Sequence, residues 1–139
     1  MPTGKLIALY GIMTAAFFAI DLVWLSTATQ RIYAPRLGEL LARQPKLAVA
    51  GAFYLLYVVG LLLLAVVPGL KEGALAGALW RGALFGFLAY ATYDLTNLAT
   101  INGWPWQIAV IDLVWGTTLN TLVAAVGYVA GSRLLGLGG

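Results

Sequence analysis

The chain has 139 residues, of which 62% are hydrophobic and only 9% charged, against about 25% charged residues in an ordinary soluble domain. A soluble fold of this size cannot hide so much apolar surface, and the composition predicts an all-α integral membrane protein of a single domain, residues 1–139. The net charge is +3, the eight basic residues form no nucleic-acid stripe, and there is no cysteine and no histidine, so nucleic-acid partners, disulfides, thiolate metal sites, a cysteine nucleophile and the commonest general base are all excluded.

Spanning helices take ~20 mainly apolar residues, and four segments meet that length. The first is 6–28. It is longer than the apolar core of a secretory signal and contains Asp21, so it reads as a retained helix. A connector, 30–46, follows and carries Arg31, Arg36, Arg43 and Lys46 against Glu39. Leu37, Leu40 and Leu41 recur there at helical spacing, which fits either a basic loop on anionic headgroups or a short amphipathic surface helix. The second segment, 47–67, is expected to stop at Pro68-Gly69.

The third segment is 74–100. Ala74, Ala78, Gly82, Gly86, Tyr90 and Asp94 recur in it at intervals of four. A stripe of small residues marks close helix contact, which turns Asp94 toward protein. The fourth segment is 104–135. Trp80, Trp104 and Trp106 fall at interfacial belt positions. Lys5, Lys71, Arg81 and Arg133 lie on the side of the termini, and the connector puts four basic residues on the other. That tie leaves orientation open, with the α-amino group tipping it weakly toward cytoplasmic termini. It also permits dual topology and an antiparallel homodimer.

"IDLVW" occurs twice, at Ile20–Trp24 and Ile111–Trp115. The two copies run in opposite directions through the bundle. Asp21 lies about eight residues before the end of the first helix and Asp112 about eight after the start of the fourth, so both sit ~12 Å in from the connector side. Asp94 lies ~9 Å in by the same count, with Tyr54 at a similar depth. Short matches between the first and third segments ("DLVWLSTA", "DLTNLATI") also suggest helical hairpins in tandem.

Asp21 with Trp24, Tyr54 with Tyr57, Asp94 with Asn97, and Asp112 with Trp115 are each three apart and share a helix face. The expected site is therefore a polar pocket opening toward the connector side. Asp21, Asp94 and Asp112 form its core, Tyr54, Tyr57, Tyr90 and Asn97 hydrogen-bond them, and Trp24 and Trp115 wall it. A charge in lipid costs roughly 3 kcal/mol on insertion scales. No Lys or Arg lies at that depth, so the layer needs protons or a guest cation.

Three readings stay open. A polar clasp would lock the helices through hydrogen bonds alone. A ligand site would bind or move a small cation, a proton or a small polar molecule, with aromatic faces helping. A membrane enzyme acting on lipid, or its accessory subunit, would use an aspartate as acid or base, or magnesium held by Asp21, Asp94 and Asp112. No cofactor is evident, and without Cys or His any metal would be hard and oxygen-ligated.

"FYLLYVVGL", "AYATYDLTNLAT", "DLVWG", the early "DLVWL" and the spacing of Tyr33, Leu37 and Gly38 resemble a family of small bacterial inner-membrane proteins, the domain of unknown function 2177 family. The resemblance covers nearly the whole chain, and "TYDLTN" is its most specific piece. It implies a multi-pass, four-helix protein of the bacterial cytoplasmic membrane and carries no activity with it.

Overall fold

The computed structural model describes residues 1–42 and 44–138; Arg43 of the basic connector lies outside them. Four long helices form the chain: α1 (Thr3–Leu40), α2 (Leu47–Glu72), α3 (Leu75–Thr100) and α4 (Trp106–Leu134). No strand occurs among the described residues. A backbone in hydrocarbon must satisfy its polar groups within its own segment, which favours helix in the apolar stretches.

Three of the helices, α1, α2 and α4, are long and apolar enough to cross a membrane, with mean hydropathies of 2.1, 2.5 and 1.6. They leave most of their apolar side chains outside the protein interior: Leu22, Val23, Leu56, Leu64 and Val114 are all exposed. A soluble protein does not present such a surface. α3 is as long as α2 but less apolar, with Thr92, Tyr93, Thr96, Asn97 and Thr100 in its last turns. Thr92 and Thr100 each donate to a carbonyl of their own helix at 2.7 Å, which satisfies a hydroxyl in an apolar setting.

Two helices run further than the sequence pattern suggests, for one shared reason. α1 passes Ala28 and takes in much of the connector through a widened turn, Thr29–Tyr33. α2 passes Pro68 through a similar turn, Leu62–Val66. In each, the closing bond spans five residues, from Ala34 N–H to Thr29 O and from Val67 N–H to Leu62 O. Pro35 and Pro68 each come two positions after the last residue of these turns. Proline lacks an N–H, and its ring pushes against the carbonyl four residues back. One π-type turn absorbs both defects without ending the helix. The connector is thus neither a free loop nor a separate surface helix up to Leu40. The helices widen ahead of their prolines here rather than stopping at them.

α1 packs on α2 and α4, and α3 packs on α2 and α4, so the helices close a ring. The α2–α3 hairpin turns at Gly73, which takes a left-handed φ of 68°. Close below it, a Cβ on Gly69 would lie 2.7 Å from Ala78 N. Toward the end that holds the termini, α2 lies across α3 and α4, and the apolar core forms there around Met13, Leu61, Val66, Leu70 and Val123. Toward the other end, the Leu47–Leu61 half of α2 leaves α3, and the bundle opens.

α3 and α4 approach most closely. A Cβ on Gly82 would sit 2.7 Å from Ala124 Cβ, and one on Gly86 would run into Gly116 O and the Asn120 side chain. The stripe expected to bring α3 against protein does so, and its neighbour is α4. Gly86→Ala is therefore expected to destabilise the protein by about 1–3 kcal/mol. Gly11→Ala, with nothing within 4 Å of its Cβ, should be neutral or slightly stabilising. Thermal unfolding in detergent compares the two.

Candidate functional site

The opening between the helices holds a cavity of about 780 Å³. All four helices line it. α1 contributes Asp21, Trp24, Leu25 and Tyr33, and α2 contributes Phe53, Tyr54 and Tyr57. α3 supplies Phe85, Ala89, Tyr90, Thr92, Tyr93 and Thr96, and α4 supplies Asp112 and Trp115. Among the described residues, the charged side chains in the lining are two aspartates, both buried.

Each of these acids is held by donors from other helices. The Tyr54 hydroxyl donates to Asp21 Oδ2 at 2.5 Å, and Trp115 Nε1 donates to Asp21 Oδ1 at 3.0 Å. The Tyr33 hydroxyl donates to Asp112 Oδ1. Trp24 Nε1 in turn donates to the Tyr33 oxygen at 3.2 Å. The Trp24 and Trp115 rings stack, centroids 4.5 Å apart and planes 12° from parallel.

The two IDLVW copies therefore meet face to face. α1 and α4 run antiparallel, so each copy turns its tryptophan toward the other's acid. Trp115 reaches Asp21 directly, and Trp24 reaches Asp112 through Tyr33. The acids are related in the same way, each with one tyrosine from another helix. Tyr33 reaches Asp112 because the turn at Thr29–Tyr33 carries α1 on past its apolar stretch.

The remaining acid behaves differently. Asp94 is fully buried, outside the cavity lining, beside Asp112. Neither of its oxygens has a hydrogen-bond partner among the described residues, nor does the buried Trp104 Nε1 near it. The small stripe of α3 turns Asp94 against α4, behind the wall, while Asp21 faces α2 and Trp115. Hence the three carboxyls do not form one cluster: among the described residues, no group of three acidic side chains could hold a metal ion. The idea of magnesium held by Asp21, Asp94 and Asp112 lacks the geometry it needs.

Of the nine residues singled out from the sequence, seven line the cavity: Asp21, Trp24, Tyr54, Tyr57, Tyr90, Asp112 and Trp115. Asp94 and the half-buried Asn97 do not. Among the tyrosines expected to bond the acids, only Tyr54 does. Tyr57 packs on Phe85, centroids 4.9 Å apart, with its buried hydroxyl unpartnered, and the Tyr90 ring lies over Gly116. Tyr33, Phe53, Phe85, Tyr93 and the threonines were not expected in the site. Only for Tyr33 was there a signal, an aromatic just ahead of a helix-interior proline.

Such an architecture, apolar helices around a buried pair of aspartates with aromatic walls, defines a class: a helical membrane protein with an acidic cavity inside its apolar shell. More narrowly, a family model described as "Predicted membrane protein (DUF2177)" matches residues 6–129, and the chain belongs to that family. The match takes in every residue of the cavity. No curated protein and no solved structure matches the chain.

The tyrosine bonds have a measurable weight. Tyr33→Phe and Tyr54→Phe each leave a buried carboxyl short of a donor, which costs about 1–3 kcal/mol. Both should lower the unfolding temperature in detergent by several degrees. Trp106→Phe, at a side chain 62% exposed, should leave it unchanged.

Proposed function

We propose that this protein binds, and in doing so helps to move, a small cationic or protonatable organic molecule within a bacterial inner membrane. The observation that carries the reading is the make-up of the cavity: two aspartates and, among the described residues, no lysine or arginine, with walls of tryptophan, tyrosine and phenylalanine. Aromatic faces attract cations, Trp most strongly. Each carboxylate offers about four lone-pair sites, so the bonds from Tyr33, Tyr54 and Trp115 leave acceptor capacity for a guest. The volume lies within the range of about 300–1,000 Å³ typical of small-molecule sites. Arg81 stays away, paired with Glu72 and set 4.6 Å over the Trp80 ring.

The same reading takes α3 as a fourth membrane span. It is 26 residues long, ~39 Å at the helical rise, and it packs along α4, itself apolar enough to cross. The equal count of basic residues at the two ends supports insertion in both orientations and an antiparallel homodimer.

One alternative has an observation in its favour. The bonds Tyr54–Asp21–Trp115 and Trp24–Tyr33–Asp112 link helices by themselves, as a purely structural clasp would. The lipid-modifying reading has less support, since no three acids converge on a metal position among the described residues.

Binding separates the first two readings. With Trp80 and Trp106, both exposed, changed to Phe, fluorescence reports mainly on Trp24, Trp104 and Trp115. Tetraphenylphosphonium should alter that signal saturably. Asp21→Asn and Asp112→Asn keep the size and an acceptor oxygen but lose the charge, and each should weaken binding at least tenfold while the protein stays folded. Uncharged triphenylphosphine oxide should not compete. If neither variant changes the response, the cation reading fails. If both variants only lower thermal stability and no cation binds, the clasp is the function.

A further inference from the structure

We propose that the cavity opens sideways, between α2 and α3, and takes a single-chain cationic amphiphile directly from the bilayer. This rests on the cation reading above and names the kind of ligand and its route. Residues of α1 and α4 in the lining are buried or half-buried and form its floor. The exposed lining residues are Phe53 on α2 and Thr92, Tyr93 and Thr96 on α3. They flank the gap where the Leu47–Leu61 half of α2 leaves α3. The gap closes below at Phe85, which packs on Tyr57 and lies 3.0 Å from where a Gly60 Cβ would stand.

The outer surface on both sides of this mouth is apolar, with Leu56 and Leu88 exposed. Phe53 lies about six residues into α2, and Thr96 about four from the end of α3, so the mouth sits ~6–9 Å inside the helix ends. At that depth a bilayer offers headgroups and the first methylenes of its chains. The acids lie behind the mouth, past a wall of aromatic rings. A cationic head reaches Asp21 and Asp112 while an attached alkyl chain lies back through the gap into lipid. A fully water-soluble cation gains nothing from that mouth. The Thr92 hydroxyl, bonded to Leu88 O at 2.7 Å, presents no unmet polar group to a passing chain.

The test uses the full-length protein in phosphatidylcholine vesicles, with the tryptophan background described above. Dodecyltrimethylammonium and tetramethylammonium carry the same headgroup and differ in the chain. Binding of the first should be saturable and at least tenfold tighter per headgroup in the membrane. Thr92→Phe and Thr96→Phe, both at exposed positions that tolerate bulk, should narrow the mouth. Either one should weaken dodecyltrimethylammonium binding several-fold, and by more than it weakens tetramethylammonium binding. Dodecyl maltoside, with the chain but no charge, should not compete. Equal binding of the two cations, or no effect of either threonine variant, would overturn sideways access and leave the cation site standing. Loss of all cation binding, with Asp21→Asn indistinguishable from the parent, would overturn both.

Discussion

A carboxylate in a chain whose outside is hydrocarbon must find its hydrogen-bond donors inside the chain, and the bundle is organised around that requirement. Asp21 and Asp112 lie on antiparallel helices at matching depth. Among the described residues no lysine or arginine bonds to either, and the donors are phenols and indoles: Tyr54 and Trp115 for one, Tyr33 for the other. Those donors come from α1, α2 and α4, and satisfying two acids thereby fixes how three helices face one another. Stacking of Trp24 on Trp115 holds the crossing point, and an offset-parallel ring pair adds its own modest attraction.

Close packing elsewhere makes the cavity possible. Gly82, Gly86 and Gly116 let α3 and α4 approach until backbone meets backbone. Without a hydrophobic force between helices in lipid, such contact is what joins them. The hairpin at Gly73 and the core around Met13, Leu61 and Val123 seal the end with the termini. The other end can then stay open, because the bulk of the packing is already made. The two proline-adjacent turns belong to the same division. Each widens a helix, one in α2 within the sealed half and one in α1 where Tyr33 is delivered to Asp112.

Asp94 stands apart from this scheme. It is the most deeply buried of the three acids, and neither of its oxygens has a hydrogen-bond partner among the described residues. Its neighbour is another carboxyl, Asp112. Two adjacent buried carboxyls repel one another when both are charged. Asp94 itself lies behind the cavity wall, and Asp112 connects it to the site.

Much of this was legible in the residues. The absence of His and Cys, the apolar stretches and the repeated IDLVW set the class of protein, the depth of two acids and the aromatic character of the walls. Those properties depend on composition and on helical rise, which a sequence carries directly. The third acid's direction was legible too, from the small stripe on α3, but not its separation from the other two. Tyr33, the divergence of α2 from α3 and the continuation of α1 and α2 through their prolines were decided only in the folded molecule. Each depends on where one helix stands relative to another, and a single widened turn redirects every side chain beyond it. Spacing along the chain fixes how deep a residue lies; which partner it meets at that depth is set by rotation and tilt, and only packing decides those.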